Sequence, residues 1–479
     1  MVGRLEINVT AGRRDENAGR RAPQQPMRLL LLGDFSGRPD HERPVLAARP
    51  THRVDIDSLG SVMQRLAPRV PAAGSVIEAE DLGDFHPDSL FMRLPLFESL
   101  RHLRKRLQDP RQFAAAAAEL GVPLPVPGAA PAAAGGDLLA SLLGGRPPAA
   151  AATAAPAAAP GGVDAFVRGL VAPHVVPDHG PMQAQLTASV DRTIAAQMRA
   201  VLHAPAFQAL EAAWRGVQWL VASLELDEKL QLHLFDVSRE ELIADVVAAR
   251  GQLTQTALHH ALADRWRSVP GGESWSLVVS LERFGPSDAD IGLLAALGLL
   301  AAQAGGPLLA GGDTALVLAE PAALAGWQTL RQSEAAPWIG LAAPRVLLRL
   351  PYGKRSDPVA AFNFEEFAGP PEHEHLLWGA GSLAAALLVG RAYMARGWAM
   401  EPGDEREIRD LPAYSFERDG EMEQQACAED YLGEQAGQAL LTAGLMPLMS
   451  HRHRNAVTMM RFQSIAEPAR PLAGLGGAG

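Results

Sequence analysis

Cysteine is almost absent from this sequence: Cys427 stands alone among 479 residues. One thiol closes no internal disulfide and builds no multi-cysteine zinc site, so the chain suits a reducing compartment, and the cytoplasm is the expected location. Basic residues are in deficit, with 43 Lys and Arg against 54 Asp and Glu and a net charge of -11. That balance argues against nucleic acid as a partner and against docking on anionic membranes. The most apolar internal stretch, residues 291–302, is too short for a bilayer. Residues 1–21 mix Arg, Glu, Asp and Asn and lack the apolar centre of a signal peptide, so no membrane insertion is expected.

Catalytic signatures are missing as well. There is no G-x-S-x-G elbow, Walker loop or H-E-x-x-H, and Cys427 has no nucleophile context. Residues 474–479 formally match G-x-G-x-x-G, but no chain remains to supply the helix that would hold a pyrophosphate. The pairs His373/His375 and His451/His453 could each reach one metal ion from an extended segment, yet neither has a third ligand nearby and both read as solvated loop histidines. The basic run from Arg101 to Arg106 shares its helix with Leu100, Leu103 and Leu107, and reads as the solvated face of an amphipathic helix. No cofactor, metal or catalytic residue is expected.

What is present is a patterned, α/β (α+β) chain. Leu5, Ile7 and Val9 alternate with Glu6, Asn8 and Thr10, the period-two signature of a half-buried strand. An apolar run over 27–32 ends in Gly33-Asp34-Phe35-Ser36-Gly37 and predicts a buried strand entering a turn. Helical spacing follows over 57–66 and again from Pro87. From 113 to 162 the composition collapses into Ala, Pro and Gly, which predicts a linker with one apolar island at 137–143. Beyond it, long helical periodicity over 183–224 has two points that can bend or divide it, Pro205 and Gly216, and strands are predicted at 230–237, 275–281 and 345–350, with a helix at 288–304. Residues 468–479, rich in Pro and Gly, predict a disordered tail.

Several segments resemble one machine. Residues 27–38, with Gly33, Asp34 and Phe35, and the downstream Phe85-His86-Pro87 resemble the small subunit of the type VI secretion contractile sheath. After the linker, Phe207, Leu210, Glu211, Trp214, Arg215 and Gly216 are similar to a signature helix of the large sheath subunit. The match continues through Arg349, Pro351, Tyr352, Gly353, Asn363, Phe364, Trp378 and Gly379. Ala380 departs from the Asn that this family usually has, and the family's large subunit runs on past the point where this chain ends.

The resemblance implies mixed sheets packed with helices in two sheath-subunit-like regions, 1–112 and 163–467, the second carboxyl-truncated. It implies a structural bacterial cytoplasmic protein rather than an enzyme: a fused small and large protomer that assembles around an inner tube and contracts. The alternative is an accessory that caps, nucleates or links the sheath to the baseplate. Implied partners are further copies or other sheath subunits, the inner-tube protein, baseplate components and a recycling AAA+ ATPase. Leu5, Ile7 and Val9 mark the candidate strand for exchange between neighbours.

Overall fold

The computed structural model describes residues 25–122, 180–267, 272–320, 324–452 and 454–475. Candidate strand residues Leu5, Ile7 and Val9, the apolar island at 137–143, His453 and the last four residues lie outside this set. The chain divides into two compact units, one formed by residues 1–96 with 195–479 and the other by 97–194.

In the larger unit, strand β1 (Met27–Gly33) is apolar at nearly every position, with Leu29 to Leu32 all at most 1% exposed. A strand without a polar face must be covered on both sides and paired on both edges. Its neighbours come from far along the chain. All seven residues pair in parallel with β5 (Leu230–Asp236), Met27 opposite Leu230 and Gly33 opposite Asp236. The other edge pairs in parallel with β6 (Leu277–Phe284). Three residues of β2 (His52–Val54) close the outer edge of β5 in antiparallel sense.

The sheet then continues past β6 through parallel β7 (Leu308–Gly312), β8 (Ile339–Ala343) and β14 (Leu445–Ser450), and ends in antiparallel β15 (Val457–Met459) and β11 (Glu407–Ile408). Three two-stranded sheets lie beside it: β3 (Arg69–Ala72) with β4 (Ser75–Glu78), β9 (Val346–Leu347) with β10 (Trp378–Gly379), and β12 (Ser415–Arg418) with β13 (Glu421–Gln424).

Helices are set where local chemistry asks for them. Ser238 and Glu241 form a reciprocal capping box at the start of Arg239–Ala248. Ser287 caps Asp288–Ala304, whose end is turned by Gly305 at φ 116°. The helix Gly381–Arg396 is buried along most of its length, and its close approach to Pro205–Ser223 requires Gly216, where a Cβ would meet Leu383 Cδ1 at 2.5 Å. Among the described residues, no helix is long and apolar enough to cross a membrane.

Three expectations are corrected. The linker does not start at 113: Phe113–Glu119 is a helix that buries Phe113, Ala116 and Ala117, because an alanine run without Pro or Gly is a good helix former. In the same unit Arg104 pairs with Asp191 at 2.7 Å, Arg106 with Glu119 at 2.8 Å, and Gln183 donates to the Leu107 carbonyl at 2.7 Å, so part of the basic run is engaged. The strand at 345–350 shrinks to Val346–Leu347, whose ladder partner is itself only the two residues Trp378 and Gly379. The tail at 468–475 is packed rather than loose: Leu472 and Leu475 are buried, and Ala473 N–H donates to the Pro337 carbonyl at 2.8 Å.

Burying a leucine contributes roughly 1.5–3 kcal/mol, and β1 carries four of them between strands it does not adjoin in sequence. Residues 1–122 and 180–479, co-expressed as separate chains, are expected to co-purify at one to one on size-exclusion chromatography. The second chain expressed alone is expected to aggregate, because β5 and β6 would lose the strand between them.

Candidate functional site

Where β1 ends, Gly33 passes into Asp34, and the N–H groups of Phe35 and Ser36 both donate to Asp236 Oδ1 at 2.9 Å. Gly37 closes the turn at φ 60°, with its N–H on Asp34 Oδ1 at 2.7 Å; a Cβ there would lie 2.4 Å from the Arg69 carbonyl oxygen. Arg43, whose side chain is 2% exposed, pairs with Asp34 at 2.7 Å and lies 3.6 Å from Asp236 and 3.7 Å from Glu241. Arg49 makes a two-pronged contact with Glu241 at 2.7 and 2.9 Å. Burial works against the charge on Arg43, yet Asp34 and Asp236 raise its pKa above the ordinary value. Burial likewise opposes ionisation of Glu241, but Arg49 holds its carboxyl below the ordinary range.

The aromatic signatures close over the same region. Trp214 Nε1 donates to the Phe35 carbonyl at 2.8 Å, and the two rings meet edge to face at 5.8 Å. Phe85, in the turn Leu82–Phe85, meets Phe207 at 5.6 Å. His86 caps the helix Pro87–Arg93, with Pro87 at its first position, and sets its ring against Tyr352 at 5.0 Å. Asp88 accepts from the N–H groups of Ala360 and Ala361. Residues that resemble the small subunit therefore clamp residues that resemble the large one.

Beneath this lies a buried charge network. The helix Pro205–Ser223 carries Leu210 and Glu211 on its covered face. Glu211 accepts from Arg349 Nε at 2.9 Å and from Arg215 Nε at 2.7 Å. Arg349 also reaches Glu366 at 2.8 Å, and its guanidinium lies 4.2 Å above the Tyr352 ring. Arg215 donates to the Tyr352 hydroxyl at 2.9 Å, and the Tyr352 N–H donates to Glu366 at 2.8 Å.

Burial opposes the charge on Arg349, but Glu211 and Glu366 hold its pKa well above the ordinary value. Burial and the Glu211 carboxylate push the Tyr352 phenol up. Burial also opposes ionisation of Glu366, and Arg349 with His203 still pulls its pKa down to about 2. Such an arrangement fixes geometry.

The remaining candidates take supporting places. Gly353 N–H donates to the Asp357 carbonyl at 2.8 Å, just after buried Pro351. Phe364 is buried while Asn363 is exposed. Trp378 and Gly379 form β10, and Trp378 Nε1 donates to the His373 carbonyl at 2.8 Å. His373 and His375 do not converge on one point: His373 lies 3.5 Å from Glu429, and His375 lies 2.8 Å from Glu372. His451 is engaged with Thr458 at 2.7 Å.

Arg43, Arg49 and Asp236 were not singled out from sequence.

Arg349→Met would leave Glu366 buried without its guanidinium and Glu211 with Arg215 alone, and breaking a buried pair by removing one partner costs about 3–5 kcal/mol. Equilibrium denaturation should show that loss, and Arg349→Lys should recover only part of it because an ammonium lacks the fork. Acid adds a second check. The Glu366 pKa in the fold lies below its ordinary 4.5, so its stabilisation is present above that value. It is lost as pH falls from about 4.5 toward 2, a contribution on the order of 3 kcal/mol. Acid titration of Glu366→Gln should lack that component.

Residues 184–466 match the family described as VipB: EvpB/VC_A0108, tail sheath N-terminal domain. Residues 6–120 match the one described as Type VI secretion system, VipA, VC_A0107 or Hcp2. The chain is 29% identical over 307 residues to the type VI secretion system sheath protein TssC1 of Pseudomonas aeruginosa, covering 59% of this chain and 61% of that relative. It thus spans about three fifths of that relative's length. Both matched stretches contain the segments that interlock in the structure: the turn at Asp34 and the cap at His86 in one, Glu211, Trp214, Arg349 and Tyr352 in the other. With one match extending over more than half of its residues, this chain belongs to the VipB tail sheath family and carries a VipA-type region ahead of it in the same polypeptide.

Proposed function

We propose that the protein is a structural component of a type VI secretion sheath, a fused protomer that polymerises around an inner tube and drives it outward on contraction. The observation that carries this reading is the interlock itself: the VipA-type region supplies the strand between β5 and β6, and its turn and cap residues close over the VipB-type signature. One polypeptide holding both parts fixes their ratio and raises their effective concentration to roughly the millimolar range. The buried network is used up by internal pairing, which suits a scaffold rather than an enzyme, and no cofactor enters the reading.

The segment with Leu5, Ile7 and Val9 is the proposed strand donor to a neighbouring copy. Among the described residues the sheet ends in the short strands β2 and β11, and an edge of that kind can accept one. Other sheath subunits, an inner-tube protein, baseplate components and a recycling AAA+ ATPase are the proposed partners, in the bacterial cytoplasm.

Negative-stain electron microscopy of the purified chain, alone and with its cognate inner-tube protein, should show ringed or helical tubes. Small closed oligomers under both conditions would overturn the polymerising reading in favour of an accessory that caps the sheath or joins it to the baseplate. Ile7→Pro removes a donor N–H from the exchange strand; it is expected to abolish tubes while leaving the melting temperature of the chain within about 1 °C.

A further inference from the structure

Past the paired prolines Pro370 and Pro371, the chain makes a short turn at His373–His375 that brings together Glu372, Glu374 and His375. One ligand-capable atom from each lies within 4.8 Å of the other two. His373 takes no part: its ring lies beside Trp378 at 5.4 Å and its Nε2 faces Glu429. The alternate-histidine spacing visible in sequence is therefore replaced by two carboxylates and one imidazole.

We propose that Glu372, Glu374 and His375 bind one divalent transition-metal ion of the zinc class. Mixed carboxylate and imidazole donors suit Zn2+, which takes nitrogen and oxygen at about 2.0–2.2 Å in a set of four. Three protein donors leave the fourth position to water or to a group from another molecule. A hard cation that prefers six or more oxygens is matched less well by this set.

Two features argue for a prepared site rather than a chance gathering. The first is the orientation of the imidazole. His375 stacks on His203 at 4.0 Å with 9° between the ring planes, and His203 in turn stacks on Phe367 at 5.5 Å. The His375 carbonyl accepts from Gln208 Nε2 at 3.0 Å, and its N–H donates to the Glu372 carbonyl at 3.0 Å. Ring plane and backbone are thus set before an ion arrives, which lowers the ordering cost of binding. The second is charge: His375 Nδ1 already lies 2.8 Å from Glu372 Oε2, Glu374 brings a second exposed carboxylate to the same point, and a divalent ion offsets the repulsion between the two.

Binding would also be felt inside the fold. The same turn leads into β10, and His203, against which His375 stacks, lies 3.5 Å from Glu366 of the buried network. An ion at the turn stiffens one border of that network without entering it.

Isothermal titration of the full chain, stripped with EDTA and then dialysed, with ZnCl2 should show one equivalent bound. Co2+ in its place should give visible d–d absorption bands. Glu374→Gln and His375→Gln should each weaken Zn2+ binding at least tenfold while keeping the far-ultraviolet circular dichroism and melting temperature of the metal-free parent. The absence of stoichiometric uptake would overturn the proposal, as would uptake unchanged in a chain carrying both Glu372→Gln and His375→Gln.

Discussion

A seven-residue strand with no polar face sets the terms for the larger unit. Leu29 to Leu32 leave nothing for water, so β1 has to sit inside a sheet with both edges paired, and it does so between β5 and β6. From that follow the position of Asp34 one residue past the Gly33–Asp236 pair, the two N–H groups given to Asp236, and the seating of Phe35 against Trp214. A VipA-type region that merely leaned on its VipB-type partner could tolerate slippage. A central strand cannot, because a one-residue shift in register would rotate every side chain to the opposite face.

The charged groups refine what the apolar strand begins. Arg43 and Arg49 gather Asp34, Asp236 and Glu241 at one end of the interlock, and Arg349 gathers Glu211 and Glu366 at the other. Buried ion pairs often contribute little net stability relative to apolar residues of equal volume, since desolvation offsets their attraction. Their value here is directional. The Arg349 fork meets carboxylates from two separate segments while its face lies on Tyr352, a geometry that only one packing arrangement satisfies.

Legibility in the sequence followed the physics of each element. The strand that begins at Met27 and the helix Asp288–Ala304 were readable because apolar periodicity is local. The helix Phe113–Glu119 was hidden because an alanine run looks the same in a linker and in a packed helix; only the burial of Phe113 separates them. The packed segment around Leu472 was hidden in the same way by its Pro and Gly content. Of the site, the aromatic and glycine signatures were visible through family resemblance. The cations Arg43 and Arg49 were not, since nothing local distinguishes them from the many surface arginines, and the Glu241 carboxylate that Arg49 grips lies 192 residues away.

The parallel pairing of β1 has a consequence in time. Residue 35 bonds to a side chain 201 positions later, so β1 cannot be completed until β5 and then β6 have been made. At roughly 5–20 residues per second of synthesis, the wait for β5 is on the order of 10–40 s. During that interval four consecutive leucines have no native neighbours, and a distant closure of this kind is slow even after synthesis is finished. A nascent chain built this way depends on whatever shields an apolar segment at the ribosome, and its yield in the cell is set by that shielding as much as by the stability of the finished sheet.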